Sequence, residues 1–587
     1  MQQRRSRPVA ALALGLIACG GTIDSGGVSG GAGGTRAPRP PAAGTGGASG
    51  LSGTAGAAGR QGSVDAGPTV GGAGTSGADA AAADVMASKC APTGGPVWVE
   101  EGRPVMAVVS CATAMKLPGT AFQLMNLPPG AAYDAATATV TWTPKLDQGG
   151  VYLIDILAVP FGEMGQLKIG VADKFDDPMN IPIADPVTYT EEFGLPVAHL
   201  TTDIKINRVD YLPATMVYRG KTYKMEAKYR GASSLGYPKK NFTLRFDKND
   251  KFSDVPSGLV KRHKIALITT FDDNSYVRYR LAFDVWNKMD PMNIQVRQMS
   301  VVLFLNGKYH GLYSASDKID GNLFQLHGYS DTGNLFMAID HNTNLATWRY
   351  DEPNPQNEKI LKKSMAEGFE KKEGLPLMGQ AGAMDDIIKL GNFVAKSDNA
   401  TFTAEIAKTV NMQDHYNWII YATAIEAMDT LGKNALHYHD PMKPAEPWRL
   451  SLWDFNEAFG QNWRAQPKPN LTLTDPAEII YVATGGQGYT NRNWLWRRLW
   501  NHATFGPEVR ARYGKLIRNE IKLDVVLASF EQMVKETADG ARRDERKWGA
   551  MFRAYYTRPP TATYDAEVTY VRQWIKDRWG FLATKYP

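Results

Sequence analysis

The sequence predicts a multi-domain chain, a small all-β sandwich followed by a larger α/β (α+β) domain. Three observations carry that prediction. The chain has 587 residues, more than a single hydrophobic core organises. Its texture changes near residue 90, from a run of Gly, Ala, Ser and Thr to short alternating apolar segments separated by Pro/Gly turns. From residue 195 onward strand-like runs mix with amphipathic patterns, and helical periodicity dominates after residue 380.

The first element is a leader. Residues 1–18 read basic, then apolar, then small: MQQRRSRP followed by VAALALGLIA. That order predicts a secretory signal, and the apolar run is too short for a permanent membrane span. It ends in Leu16-Ile17-Ala18-Cys19, which resembles the lipobox of bacterial lipoproteins. The resemblance implies lipidation of Cys19 and an address in the cell envelope, anchored by lipid at the outer membrane or cell surface. Ordinary signal cleavage beside an incidental cysteine is the alternative.

Residues 19–88 are expected to form a disordered linker, because Gly, Ala, Ser and Thr bury too little apolar surface to offset chain entropy. Gly27-Val28-Ser29-Gly30-Gly31 matches a GxSxG nucleophile pattern there, but the match is compositional, since that motif requires a strand before it and a helix after it.

Residues 89–172 carry alternating segments broken by Leu127-Pro128-Pro129-Gly130 and Asp147-Gln148-Gly149-Gly150. This pattern predicts a small antiparallel sandwich. With Tyr133-Asp134, Trp142-Thr143-Pro144 and Tyr152, it resembles the Ig-like, cadherin-like modules of bacterial surface proteins. Cys90 and Cys111 are the remaining thiols of a chain expected to be exported, and a disulfide between them is expected. The module reads as a spacer. Residues 173–194 are a linker, and the main domain spans 195–587.

In the main domain, MVYRGKTYKMEAKYRG predicts a hairpin turning at Gly220, and KKNFTLRFD and HKIALIT predict strands. VRYRLAFDVWNKM is an amphipathic helix, and VVLFLNGKYHGLYSAS is a hairpin turning at Asn306-Gly307. NALHYHD and WRLSLWD bracket a turn at residues 441–447.

Composition excludes several classes. A net charge of +6 without a long basic stripe argues against nucleic acid. Three cysteines and nine histidines without CxxC or HExxH argue against a zinc site, and His437 and His439 merely alternate on a strand. The absence of GxxxxGK[ST] excludes a Walker-type site.

The informative constellation begins at Asp429, five residues before Asn434. That is the spacing of a kinase catalytic loop, in which Asp accepts the substrate hydroxyl proton and Asn holds magnesium. If the two strands around residues 441–447 pair symmetrically, Asn434 falls opposite Asp454 and both reach one divalent ion. Ordinary turn chemistry around Gly432 is the alternative. Phosphate would be met by the loop at residues 231–238, through Ser233, Ser234 and their backbone amides. Lys240 and Arg278 are the candidate phosphate cations; pairing with a carboxylate is a second reading for Arg278, and a solvated surface position is the alternative for each.

Six blocks together resemble the CotH family of atypical protein kinases. They are Arg230-Gly231 with Ser233-Ser234 and Tyr237-Pro238-Lys239-Lys240; Arg278; Asn306-Gly307 with Gly311-Leu312-Tyr313; Gly333-Asn334-Leu335-Phe336; Asp429 with Asn434; and Trp453-Asp454-Phe455 with Phe459-Gly460. The resemblance implies an atypical protein-kinase-like domain that uses Mg2+ and ATP, with Asp429 catalytic, Asn434 and Asp454 on the metal, and a Ser/Thr-bearing envelope or surface protein as acceptor. Three positions depart from the family pattern: Met337 where Lys is usual, Asp317 where Glu is frequent, and Asn456 where a second Asp is usual. They keep open a pseudokinase or binding scaffold, and the aromatic content keeps open an adhesin or glycan binder.

Overall fold

The computed structural model describes residues 90–112, 120–179, 181–353, 359–469, 472–481 and 493–587. The expected leader, Cys19 and the linker 19–88 lie outside the described residues.

The first block is all β: β1 (Cys90–Pro92), β2 (Val97–Glu100), β3 (Val105–Cys111), β4 (Ala121–Met125), β5 (Ala132–Asp134), β6 (Thr139–Trp142), β7 (Gly150–Val159) and β8 (Glu163–Ala172). Their order is β4-β7-β8-β1-β3-β6-β5, with β2 on β8. Alternation along β3 buries Val105, Ala107, Val109 and Cys111 while Met106 and Val108 face out. Val140, Trp142, Ile154, Ile156, Leu167 and Ile169 complete a separate core. Cys90 lies opposite Cys111 in the β1–β3 register, and a disulfide joins them.

The second sheet begins with β9 (Glu191–Glu192), β10 (Leu195–Thr201), β11 (Leu212–Tyr218), β12 (Lys221–Arg230) and β13 (Asn241–Phe246). A side hairpin of β14 (Phe252–Asp254) and β15 (Leu259–Arg262) follows, then β16 (Lys264–Ile268), α1 (Arg278–Met289), β17 (Gln298–Leu305) and β18 (Lys308–Asp317). The order is β11-β12-β13-β16-β18-β17-β10-β9. Both expected hairpins form. Arg219-Gly220 and Asn306-Gly307 take positive φ at both positions, the geometry that matches strand twist in a two-residue turn. Phe242, Leu244, Leu267, Leu303 and Tyr313 fill one face. On α1, Leu281, Phe283, Val285 and Trp286 enter the larger core.

The remainder carries α2 (Gly321–Leu326), β19 (Asn334–Ala338), β20 (Trp348–Pro353), β21 (Lys359–Leu361), β22 (Phe369–Glu373), α3 (Asp385–Lys396), α4 (Asn399–Thr409) and α5 (Met412–Ala424). Then come β23 (Ala435–His439), β24 (Arg449–Leu452), α6 (Pro476–Tyr481), α7 (Trp494–Asn501), α8 (Phe505–Arg518), α9 (Leu523–Tyr555) and α10 (Tyr564–Lys585). A four-stranded sheet runs β22-β19-β23-β24. The architecture is therefore β-rich through two large sheets, with a helical C-terminal region, as the change of periodicity after residue 380 predicts.

α9 ties the parts together. Asp544 accepts hydrogen bonds from Lys239 Nζ (2.8 Å) and the Leu312 amide (2.6 Å). One residue earlier Arg543 is buried; it meets Glu192 and the Asp173 carbonyl, and lies 3.7 Å from Glu100 of β2. A buried guanidinium is tolerable only when so surrounded. The first β block is thus fastened to the main body by charge as well as by chain.

Candidate functional site

A cavity of 1220 Å³ opens between one face of the second sheet and the β19–β22–β23–β24 sheet. Register explains which sheet residues reach it. Lys228 pairs with Thr243 and Arg230 with Asn241 across β12–β13, and Thr243 pairs with Ala266 of β16. Side chains two apart on a strand share a face, so Lys228, Arg230, Asn241, Thr243 and Ile268 all point into the cavity.

Asp429 arrives on a 3₁₀ turn, Met428–Thr430, after α5 ends and Glu426 takes a left-handed φ of 53°. The loop is pinned at its far end. The Asn434 amide donates to the Ala338 carbonyl (2.9 Å), the Trp453 amide donates to the Asn434 carbonyl (2.9 Å), and Thr343 Oγ1 donates to the Gly432 carbonyl. Asn434 and Asp454 have φ of 56° and 72°. Asn and Asp tolerate this region better than most residues, and such backbone persists where surrounding structure enforces it.

The structure places Asp429, Asn434 and Asp454 on one cavity wall. Asn434 Nδ2 donates to Asp429 Oδ2 at 2.7 Å, and Lys433 Nζ lies 2.8 Å from Asp429 Oδ1. His341 Nε2 stands 3.8 Å from the same oxygen. The expected register is off by one. Ala435 pairs with Leu452, so Trp453 rather than Asp454 lies opposite Asn434. Asp454 follows the strand end and reaches the cavity through its left-handed backbone.

Asp272 and Glu457, which the sequence reading did not single out, join this wall. Gln461 draws the two segments together, its Nε2 donating to the carbonyls of Asp272 (2.7 Å) and Asn456 (2.9 Å). Burial, then the neighbouring Asp429 charge, pushes the Asp454 carboxyl up to about 6. Burial and Asp454 push Asp272 up to about 7, and burial with Asp429 drives Glu457 higher still. Burial opposes charge on Lys433, but Asp429 and then Asp454 and Glu457 outweigh it and raise its pKa. Crowded carboxylates short of positive charge are the donor set that a divalent cation neutralises. Asn434 fits beside them, because its amide nitrogen is committed to Asp429 and its oxygen is the atom left for a cation.

Ser233 and Ser234 line the cavity on the turn Ser233–Gly236, between β12 and β13. Gly231 has φ 123°, and a Cβ there would collide with the Ser234 side chain, so the loop needs glycine on two counts. The two expected phosphate cations stand elsewhere. Lys240 is outside the cavity lining, with Nζ folded back on the Leu235 carbonyl at 2.6 Å; it holds the serine turn. Lys239 points to the opposite face and is buried on Asp544. Arg278 is 0% exposed, and its two Nη atoms pair with Asp273 at 2.8 Å and Glu567 at 2.7 Å, the carboxylate pairing that is its second reading. It carries structure, and no route to phosphate remains. Asp317 likewise pairs with Arg262 and accepts from the Arg297 amide (2.7 Å), away from any lysine of the cavity. Met337 lines the cavity as an apolar side chain, and Asn456 lines it as an amide. His437 is buried, and His439 hydrogen-bonds Asp386 at 2.8 Å.

The cleft between the two sheets thus carries buried carboxylates and sheet-borne cations on its walls. The family model described as CotH kinase protein matches residues 227–582, well over half of the chain and all of this cleft's principal walls. The chain belongs to the CotH kinase family. No curated protein matches it.

Proposed function

We propose that this protein is an exported, lipid-anchored atypical protein kinase of the cell envelope, transferring the γ-phosphate of ATP to Ser or Thr of envelope or surface proteins. The observation that carries this reading is the Asp429–Asn434 pair in a cleft that also holds Asp454. Asn434 and Asp454 would hold Mg2+, with Glu457 and Asp272 in reserve. When bound, the ion supplies charge neutralisation and alignment of the phosphates.

The chain's own residues do the rest. Asn434 and Lys433 hold both carboxylate oxygens of Asp429, fixing its orientation. The acceptor hydroxyl docks on Asp429, its oxygen attacks the γ-phosphorus, and the bond to the β–γ bridging oxygen breaks. ADP leaves, and the hydroxyl proton passes to Asp429. The proton moves late, because the transition state of phosphoryl transfer is loose. Backbone amides around Ser233 and Ser234 would cover the phosphates.

A binding-only reading rests on Met337 and Asn456, which remove a cation and a carboxylate usual in the family. Labelled ATP separates the two. Transfer of γ-phosphate by the full chain to itself or to an envelope extract, lost in Asp429→Asn, is expected. Mg-dependent ATP binding without transfer to any protein would establish the scaffold instead.

A further inference from the structure

We infer that Lys318 and Arg230 form an anion cradle for the phosphate oxygens of a polyphosphate ligand. The inference rests on the cleft being a nucleotide site, and names which cations hold the ligand there.

Arg230 ends β12 and Lys318 directly follows β18. The register Lys228–Thr243–Ala266–Ser316 runs across β12, β13, β16 and β18, so Arg230 and Lys318, each two residues on from a member of that row, belong to its face. Both line the cavity.

Among the described residues neither is in an ion pair: Asp454 acts on Arg230 and Asp320 on Lys318 from beyond contact distance. Four neighbouring cations are matched, Lys264 with Asp320 (3.1 Å), Lys372 with Glu370 (2.6 Å), Arg245 with Glu226 (2.5 Å) and Lys433 with Asp429 (2.8 Å), while Lys228 lies over the Tyr211 ring, 4.5 Å from its centroid. Among the described residues Lys318 has no carboxylate within ion-pair distance, and its Nζ donates to the adjacent Ile319 carbonyl at 3.2 Å. Arg230 stacks on the Trp453 ring, 4.1 Å from its centroid, and its Nη1 is buried without an acceptor. A guanidinium nitrogen cut off from water and left unmatched is strongly unfavourable, unless a ligand oxygen completes it. Burial, then Arg230 nearby, lowers the Lys318 pKa to about 8, and Asp320 offsets this only in part.

The ligand chemistry follows from shape and charge. A planar guanidinium fixed by an indole face offers a fork to two oxygens, and an ammonium beside it offers a point charge. Tetrahedral phosphate accepts from both. Asp429, Asp454 and Glu457 line the same cavity, and Asp454 is near enough to act on Arg230, so a phosphate chain on the cradle would also reach a metal held by those carboxylates.

Tripolyphosphate titrated into the full chain in EDTA tests the cradle without metal, nucleoside or turnover. Wild type is expected to bind. Lys318→Gln is expected to weaken binding about 10-fold or more, the scale of one charge-assisted hydrogen bond. Arg230→Lys keeps the charge, loses the fork and should weaken it less, while Lys535→Gln, at an exposed α9 position outside the cavity lining, should leave it unchanged. Undiminished binding by Lys318→Gln, or none by wild type, overturns the cradle. If Lys318→Gln binds normally while wild type still transfers phosphate, the cradle fails and the kinase reading stands. If Lys318→Gln loses tripolyphosphate and wild type transfers nothing, the cradle stands and the kinase reading fails.

Discussion

The side-chain amide of Asn434 donates to Asp429 Oδ2 at 2.7 Å, closing a six-residue loop on itself. With Lys433 on the other oxygen, Asp429 is oriented by its own loop rather than by a distant element.

Replacing Asp429 by Asn keeps size and polarity and removes most of the basicity. The rate of phosphoryl transfer should fall about 10²-fold or more, the scale of a lost acid–base group. Mg–ATP affinity should stay within about 3-fold of wild type, because Asp429 faces the acceptor. Single-turnover transfer and a binding titration measure the two separately.

Asp454→Asn should behave in the opposite way. It removes a carboxylate from the metal wall, so thermal stabilisation by Mg–ATP should vanish. It also removes one of several mutually repelling groups, so the apo variant should melt no lower than wild type at pH 8. A large loss of apo stability would show that Asp454 is a structural partner.

pH should act on stability and metal binding with opposite signs. Asp454 and Asp272 titrate at about 6 and about 7 in the folded protein, above their unfolded range. The native state therefore holds these protons more tightly, and apo stability should decline as pH rises from about 4 to about 7. Mg2+ needs the ionised form, so its affinity should climb over the same range. Melting curves with and without MgCl2 across pH 5–8 should converge at the acid end and separate at the alkaline end.

Arg278→Gln tests the reassignment of that residue. Its two carboxylate partners, Asp273 and Glu567, are buried with it. Removing one partner of such a network typically costs about 3–5 kcal/mol. Denaturant unfolding should show a loss of that order, with any ATP-binding defect tracking the unfolded fraction.

Much of this was readable beforehand. The Asp429/Asn434 spacing, the serine turn and both hairpins are local patterns, and local patterns survive folding. The register of β23 on β24 was not readable, because both strands are buried on both faces and no alternation marks the inward side. Asp272 and Glu457 were invisible because they are brought together by Gln461 across a long stretch of chain. Lys240 and Arg278 carried the right charge for phosphate, and only three-dimensional pairing shows that the charge is already spent on Leu235, Asp273 and Glu567.

The burial of Arg543 has a practical corollary. Its surroundings are drawn from Glu100 and Asp173 on the N-terminal side and Glu192 on the other. A fragment beginning at residue 175 would strand this guanidinium at a raw apolar surface beside Tyr309, 4.0 Å from its ring centroid. Truncation there would remove two of the three carboxylates around Arg543 and leave Glu192 alone, so the small β block helps to neutralise a charge buried in the main body.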